Sequence, residues 1–262
     1  MAEAAPLSGV HVLITRPRAQ AEALARAIRE DGGEPLLLPL IDIQPVSDPS
    51  RLDAILATLD RFDLAIFISP NAVQFALTRL SARGRAWPAT LPIAAIGAGT
   101  SQALAAHDLR ATVVPRDRFD SEGLLAEPAL QAVSGQRILI VRGEGGRALL
   151  AETLTARGAT VTYAECYRRV LPSHDPNADR WLAPGAVDIA IITSGEALNN
   201  LLQLYGDAGR RLLHDTPVLV ASKRLAAQMA KHRPRHTPLL ARPGDTDLIH
   251  ALRAWRAGEK TL

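Results

Sequence analysis

The chain has 262 residues, 47% of them hydrophobic, so it is long enough for one large domain or two ordinary ones and too apolar to be disordered. Its 30 basic and 27 acidic residues leave a net charge of +3, and no basic run carries interleaved aromatic residues, which argues against nucleic acid as a partner. The one cysteine excludes an internal disulfide, and neither a signal-peptide pattern nor a run of roughly 20 apolar residues is present, so we expect a soluble, cytoplasmic protein.

Apolar runs alternate with amphipathic segments along the whole chain. Their periodicity predicts strands at residues 10–15, 36–38, 64–68, 93–96, 112–114, 138–141, 161–165, 188–192, 218–220 and 238–240. Helices are predicted over residues 18–30, 51–60, 97–106 and 245–255, near residues 70, 121, 149 and 222, and on both sides of the strand at 188–192. The first helix has one apolar face, formed by Ala21, Leu24, Ala25 and Ile28, and Ser69 and Ser121 are predicted N-caps. Strands that alternate with helices in this way indicate parallel sheets and an α/β fold.

Segments of the chain recur at a nearly constant offset of 125 or 126 residues. The paired segments are Ser8–Arg16 with Ser134–Arg142, Asp63–Ser69 with Asp188–Ser194, and Asp120–Glu122 with Asp245–Asp247. We infer a duplicated α/β unit with linker-like breaks near residues 40–45 and 168–172. Two partitions are open: a tandem pair cut near residue 130, or a chain that leaves its first domain at the first break and returns to it at the second.

The segment 138–147 joins a strand buried on both faces to a glycine-rich turn and a helix pattern. Glycines leave backbone N–H groups uncovered, and the start of a helix carries unpaired N–H groups and a positive dipole end. Arg142 and Arg147 add positive charge, so the turn is a candidate anion site. The alternative is that the glycines only allow a tight connection between strand and helix.

Several loops at predicted carboxyl ends of strands carry small polar groups, and ligands of open α/β sheets bind at this edge. These loops are residues 15–16, 69–71, 97–100, 142–145, 193–195 and 222–224. Each Ser or Thr alone is more often only an N-cap, but together they predict a groove for a ligand with several carboxylates or phosphates. Arginine, at 27 of 30 basic residues, suits such a ligand, although an arginine-rich proteome explains it equally well.

Standard catalytic sets are missing from the sequence. There is no GxGxxG after a strand, no GxxxxGK[ST] and no HExxH, and with one cysteine we expect no zinc site. Cys166 is predicted to be a packed thiol rather than a nucleophile. Tyr167 follows an apolar strand and precedes two arginines at the second break, so it is either a proton donor to a leaving oxygen or an aromatic residue packed at a hinge.

Taken together, the motifs resemble the uroporphyrinogen-III synthase family over nearly the whole chain. They are VLITRP, FISPNAV, AIGAGT, ILIVRGEGGR, RGATVTYAECYRR, IITSGEALNNL and ASKRLA. The resemblance implies two similar flavodoxin-like or Rossmann-like parallel-sheet domains, joined by a two-strand linker across an inter-domain cleft. It implies the second partition, with residues 1–40 and 172–262 in a discontinuous first domain, 46–168 in the second, and linkers at 41–45 and 169–171.

The resemblance also implies an activity. The family converts hydroxymethylbilane, a linear tetrapyrrole with eight carboxylates, into uroporphyrinogen III without metal or cofactor. A hydroxyl leaves from ring A to give an azafulvene, ring D attacks to form a spiro intermediate, and the ring recloses with ring D inverted. We expect a monomer that binds this small molecule and binds neither nucleic acid nor membranes. Because the bilane is unstable, a transient contact with the enzyme that produces it is also expected.

Site residues are carried over by position in the motifs. Thr100 and Tyr167 match the family's polar cleft residues, and Tyr167 is expected to assist departure of the hydroxyl. The turns that match its substrate-facing segments contain Ser69, Asn71, Gly99, Ser194 and Gly195. Charge and loop position add Arg16, Arg142, Gly143, Gly145, Arg147 and Ser222 as further substrate-binding candidates.

Two rival functions stay open at the level of sequence. A two-domain α/β module could bind an anionic ligand without chemistry. A nucleotide-dependent enzyme could use the glycine turns for phosphates.

Overall fold

The computed structural model describes residues 5–258, so the outer ends of the predicted first domain, 1–4 and 259–262, lie outside the described residues. Contacts divide the chain into two compact units. One combines the N-terminal segment up to Asp42 with the segment that begins at Val170, and the other is Ile43–Arg169. Among the described residues, no helix combines the length and hydropathy that a membrane span needs.

The first unit is a five-stranded parallel sheet with helices in its connections. Its strands are β1 (His11–Ile14), β2 (Glu34–Leu37), β8 (Ile189–Ile192), β9 (Val218–Val220) and β10 (Leu239–Leu240), in the order β10-β9-β8-β1-β2. Its helices are α1 (Arg18–Glu30), α7 (Ala178–Trp181), α8 (Gly195–Asp215), α9 (Lys223–Ala230) and α10 (Asp245–Arg256). Gly206 interrupts α8 with a φ of 43°, a conformation that glycine adopts at little cost.

The second unit repeats this plan with a second five-stranded sheet. Its strands are β3 (Asp42–Pro45), β4 (Leu64–Phe67), β5 (Ile93–Ala95), β6 (Arg137–Gly143) and β7 (Thr160–Val170), in the order β3-β7-β6-β4-β5. Its helices are α2 (Ser50–Leu56), α3 (Pro70–Ala82), α4 (Ala98–Ala105), α5 (Ser121–Ala126) and α6 (Leu149–Ala156), with short 3-10 helices at Leu59–Arg61 and Pro128–Leu130. Strand β4 is parallel to both β5 and β6, and β6 is parallel to β7.

Hydrophobic burial follows the predicted pattern closely. All residues of the interior strands β4 and β8 are buried, as expected for strands covered by helices on both faces. The buried face of α1 consists of Ala21, Leu24, Ala25 and Ile28, which confirms the predicted face. The predicted α/β fold with parallel sheets is therefore confirmed.

Several predicted elements were wrong in extent or role. The predicted strand at 161–165 is the eleven-residue strand β7, because pairing with β6 and β3 continues past Glu165. Residues 112–114 make only an isolated bridge, between Val113 and Ala94. The helix at 51–60 ends at Leu56, and Asp120, not Ser121, caps α5 by accepting the Gly123 N–H at 2.8 Å.

Candidate functional site

The second unit brings several predicted site residues to the carboxyl ends of its strands. Strand β4 leads through Ser69 into α3, β5 leads through Gly97 into α4, and β6 leads into the glycine-rich turn before α6. Parallel strands place these turns at one edge of the sheet, where open α/β folds bind ligands.

Tyr167 and Ser69 form a direct contact at this edge. The phenol oxygen of Tyr167 lies 3.1 Å from Ser69 Oγ, and Ser69 Oγ also accepts the Ala72 N–H at 3.0 Å as the N-cap of α3. Tyr167 is only 1% exposed, whereas Ser69 is half-buried. The ring centroid of Phe75 lies 5.8 Å from that of Tyr167, so the tyrosine is packed as well as hydrogen-bonded.

A local irregularity in β7 directs the Tyr167 ring. Arg142 is paired with Glu165 but Gly143 with Tyr167, so β7 has one extra residue, Cys166, at this point. Such bulges re-aim side chains next to functional sites. The ring of Tyr167 then lies against Gly143, where an added Cβ would be 2.6 Å from ring atoms Cε2 and Cζ. Gly143 is therefore needed here for close approach.

The glycine-rich turn is organised around the Arg142 guanidinium. Arg142 is 5% exposed, its Nε donates to Gly143 O at 3.1 Å, and its Nη1 donates to Arg147 O at 3.4 Å. Its Cζ lies 4.7 Å from the centroid of the Tyr163 ring, within cation–π range. The turn therefore directs two carbonyl oxygens at the guanidinium of Arg142. The predicted anion site, formed by uncovered N–H groups, is an incomplete description of this turn.

A cavity of about 340 Å³ opens beside this turn. Its charged and polar lining includes Arg142, Arg147, Glu144, Asp120, Ser121 and Arg169, together with Tyr163 and Tyr167. Its apolar lining is formed by Ile68, Ile96, Ile140 and Leu150. Gly143 and Gly145 also line it, so the structure brings five of the predicted site residues to one cavity.

Arg147 is committed to an ion pair. Its Nη2 lies 2.5 Å from Glu122 Oε1, and its Nη1 donates to Glu122 Oε2 at 3.3 Å. The hydrogen bond raises the pKa of Arg147 and lowers the pKa of Glu122. Its predicted role in substrate binding stays a prediction.

Thr100, Gly99 and Asn71 lie in the first turns of α4 and α3 and outside the cavity lining. Thr100 is 2% exposed, and its N–H donates to Gly97 O at 3.1 Å. A Cβ added to Gly99 would lie 3.9 Å from Pro70 Cγ, so the two helix starts are neighbours. Their predicted roles, catalytic for Thr100, stay predictions.

The first unit distributes its predicted residues over separate places. Arg16 Nη1 lies 2.5 Å from Asp245 Oδ1, and Arg16 Nη2 also donates to Pro243 O, so its guanidinium is occupied. Ser194 caps α8, and with Gly195 it lines a polar cavity of about 480 Å³. Ser222 caps α9 and lines a different cavity of about 680 Å³.

Cys166 is a packed thiol, as predicted. Its Sγ donates to Arg142 O at 3.3 Å and to Ala72 O at 3.6 Å. Burial raises the pKa of the thiol to about 12, which keeps it protonated and unreactive. Within residues 5–258, no group of three or more His, Cys, Asp or Glu side chains is placed to hold a metal ion.

Five polar or charged residues of the cavity lining were not among the predicted site residues, namely Asp120, Ser121, Glu144, Tyr163 and Arg169. Tyr163 and Arg169 lie in the motif RGATVTYAECYRR, but only Tyr167 of that motif was predicted to be a site residue. A signal existed for Asp120, because the repeat aligns it with Asp245. Tyr163 and Arg169 depend on the register of β7 against β6, which the sequence does not define.

A family profile and similar sequences from known proteins indicate the same protein family. The family profile described as "Uroporphyrinogen-III synthase HemD" matches residues 22–243. The chain is 41% identical over 219 residues to the "Uroporphyrinogen-III synthase" of Escherichia coli (strain K12), covering 82% of this chain and 88% of that protein. The corresponding protein of Salmonella typhimurium is 42% identical over 221 residues, with the same two coverages.

Solved structures share the fold at lower identity. A mutant uroporphyrinogen III synthase from Thermus thermophilus has a TM-score of 0.64 at 22% identity, covering 95% of this chain and 98% of that chain. The uroporphyrinogen-III synthetase of Helicobacter pylori 26695 has a TM-score of 0.61 at 15% identity, covering 95% and 99%. The rival interpretation as a non-catalytic binding module is not favoured, because the sequence relatives carry the name of an enzyme.

Proposed function

Because the chain belongs to the uroporphyrinogen-III synthase family, we propose that it cyclises hydroxymethylbilane to uroporphyrinogen III, in tetrapyrrole (haem) biosynthesis. The reaction removes the terminal hydroxyl as water and inverts ring D through a spiro intermediate, which makes the enzyme a cyclising carbon–oxygen lyase. We place this reaction in the cytoplasm, because a single cysteine, buried and protonated, is consistent with a reducing compartment.

The contact between Tyr167 and Ser69 supports this proposal most directly. Ser69 Oγ has two acceptor positions, and the Ala72 N–H occupies one of them. When the Tyr167 phenol donates to the other, the Ser69 hydroxyl proton is free to donate outward. Ser69 is half-buried and Tyr167 is 1% exposed, which supports a relay in which the serine contacts the leaving hydroxyl and the tyrosine supports the serine.

The proposed first step is a proton relay. Ser69 gives its hydroxyl proton to the departing hydroxyl, and the Tyr167 phenol gives its own proton to Ser69. The carbon–oxygen bond breaks with its electron pair on the oxygen, which leaves as water. The ring A nitrogen supplies the electron pair that forms the azafulvene, which keeps its N–H proton and therefore carries a positive charge at this stage. Loss of a proton when the cyclised product regains its pyrrole rings restores Tyr167. General acid assistance of this kind contributes on the order of 100- to 10,000-fold to a rate.

The activity test uses freshly prepared hydroxymethylbilane. After oxidation of the products, their isomers are resolved, and we expect type III in large excess over the type I isomer that forms without an enzyme. Type I alone at the uncatalysed rate would refute the proposal.

The relay is tested by Tyr167→Phe, which removes only the phenol oxygen. We expect kcat to fall by about 10- to 1,000-fold. The matched control is Tyr205→Phe in the first unit, since Tyr205 is also buried and its oxygen accepts the Asp175 N–H at 3.2 Å. An unchanged kcat in Tyr167→Phe, or an equal loss in Tyr205→Phe, contradicts a specific role for Tyr167.

A further inference from the structure

The internal repeat places two arginines at equivalent positions with different surroundings. Arg16 and Arg142 stand 126 residues apart in paired segments, the first just after β1 and the second at the end of β6. In the first unit, Asp245 neutralises Arg16 through a contact of 2.5 Å. In the second unit, the Arg142 guanidinium forms no ion pair with a carboxylate among the described residues.

The acid that the repeat predicts for Arg142 is engaged elsewhere. Asp120 is the repeat counterpart of Asp245. Its Oδ2 accepts from Arg118 Nε at 2.6 Å, and its Oδ1 accepts the Gly123 N–H at 2.8 Å. Asp120 therefore caps α5 and pairs with Arg118, and although Asp120 and Glu144 line the same cavity, neither forms an ion pair with Arg142 among the described residues.

Arg142 retains donor capacity toward the cavity. A guanidinium has five N–H donors, and within the described part of the chain only two of them, at Nε and Nη1, meet protein carbonyls. The Nη2 end lies 2.7 Å from the place where a Cβ of Gly146 would stand, so a glycine there leaves this end uncovered. A buried cation without an anion is costly, and a ligand carboxylate would bind it through paired hydrogen bonds.

The cavity has the size and lining for one substituted pyrrole. Its volume of about 340 Å³ is at the small end of ligand pockets, which is too small for a whole tetrapyrrole. Four apolar side chains, Ile68, Ile96, Ile140 and Leu150, line the wall for a ring. Arg169, exposed and without an acidic partner among the described residues, adds a second cation at the edge.

We propose that Arg142 binds a carboxylate arm of the substrate and that this cavity receives the one pyrrole ring that bears the arm. The proposal rests on the proposed function for the identity of the ligand. Tyr163 acts as a positioning residue, because its ring lies under the guanidinium. In the first unit, Asp245 forms with Arg16 the kind of ion pair that the ligand carboxylate would form with Arg142, and substrate binding by Arg16 stays a prediction.

The first experiment needs no variant. Binding of pyrrole-3-propanoic acid and of its methyl ester to the full chain is followed by ligand-observed NMR up to ~20 mM. We expect the acid to bind with a dissociation constant on the order of 1 mM, and the ester at least about tenfold more weakly, because only the acid offers a carboxylate. Equal binding of the two ligands, or no binding of the acid, overturns the proposal.

The second experiment locates the site with Arg142→Lys, which keeps the charge but loses the fork. Its matched control is Arg137→Lys, at the exposed start of the same strand, where the arginine lies 3.7 Å from Asp63. We expect the preference for acid over ester to fall toward one in Arg142→Lys and to stay unchanged in Arg137→Lys. A purely structural role would lower stability without changing this preference, and a preference retained in Arg142→Lys overturns the proposal.

Kinetics separate this inference from the proposed function. With hydroxymethylbilane, Arg142→Lys should raise KM by about tenfold and change kcat by less than about threefold, because the lost contact is made in the ground state as well as in the transition state. If the unaltered chain makes no type III isomer, the proposed function fails. If it makes type III but Arg142→Lys leaves both KM and the ligand preference unchanged, only the inference about Arg142 fails.

Discussion

Replacing Gly143 by alanine tests whether the position of the Tyr167 ring matters for catalysis. An alanine Cβ would stand 2.6 Å from the Cε2 and Cζ atoms of the ring, whereas carbon atoms pack at about 3.5–4.0 Å. The ring must therefore move by roughly 1 Å. The phenol oxygen lies 3.1 Å from Ser69 Oγ, so a displacement of that size away from Gly143 breaks this hydrogen bond.

We expect two effects of Gly143→Ala. Overpacking should lower the free energy of unfolding by about 1–3 kcal/mol, measured by urea denaturation. Loss of the Ser69 contact should lower kcat nearly as much as Tyr167→Phe does. Gly33→Ala is the matched control, because its Cβ would stand 2.9 Å from Ile28 Cγ2 in the first unit, which should destabilise the chain and leave kcat unchanged.

A double-mutant cycle decides whether the glycine acts through the tyrosine. Once Tyr167→Phe has removed the phenol oxygen, adding Gly143→Ala should change kcat by less than about twofold, because no contact to Ser69 remains to be lost. If the two substitutions instead reduce kcat independently and multiply, Gly143 does not act by placing the Tyr167 hydroxyl, and the reasoning is refuted.

Two further predictions concern titratable groups of the second unit. Burial raises the pKa of Cys166 to about 12, so iodoacetamide should label it at a pH of about 8 only after unfolding; rapid labelling of the native chain would contradict its packing. The Arg79 hydrogen bonds to Asp53, at 2.6 and 2.7 Å, lower the pKa of Asp53. Stability from this pair is present above the unfolded pKa of about 3.9 and is lost as pH falls through the lower folded pKa. Asp53→Asn should therefore lower the melting temperature at a pH of about 7, and a difference that persists undiminished near a pH of about 2 would count against the pair.

Local signals in the sequence predicted the elements that depend on neighbours in the chain. The apolar face of α1 follows from a period of about 3.6 residues, and the start of α3 follows from Ser69 and Pro70. Both depend on residues within one or two turns. The same holds for the buried strand β4, whose four apolar residues need no distant partner to be recognised.

Features that depend on pairing between distant segments were not predictable in this way. The length of β7 and the extra residue at Cys166 depend on the neighbouring strands β6 and β3. Because of them, Tyr167 lies within β7 and packs on Gly143, whereas the sequence predicted that it follows the end of the strand. The prediction for the glycine-rich turn was incomplete for the same reason. Nothing in the residues 142–147 indicates that the arginine side chain folds back to the carbonyls of its own turn.

Duplication of a unit preserves the fold more readily than the site. Both sheets keep a buried strand with an arginine at or just after its carboxyl end, because burial and the connection to the next helix require only apolar residues and a turn. Whether that arginine is neutralised depends on a single aspartate at the start of a distant helix. If this aspartate bonds to other groups, the arginine is left without an acidic partner. Asp120 and Asp245 have the same type of side chain at paired positions. Asp120, however, bonds to Arg118 and caps α5, whereas Asp245 pairs with Arg16. Identical residues in the two halves therefore have different functional consequences, and the asymmetry can be recognised only from the contacts.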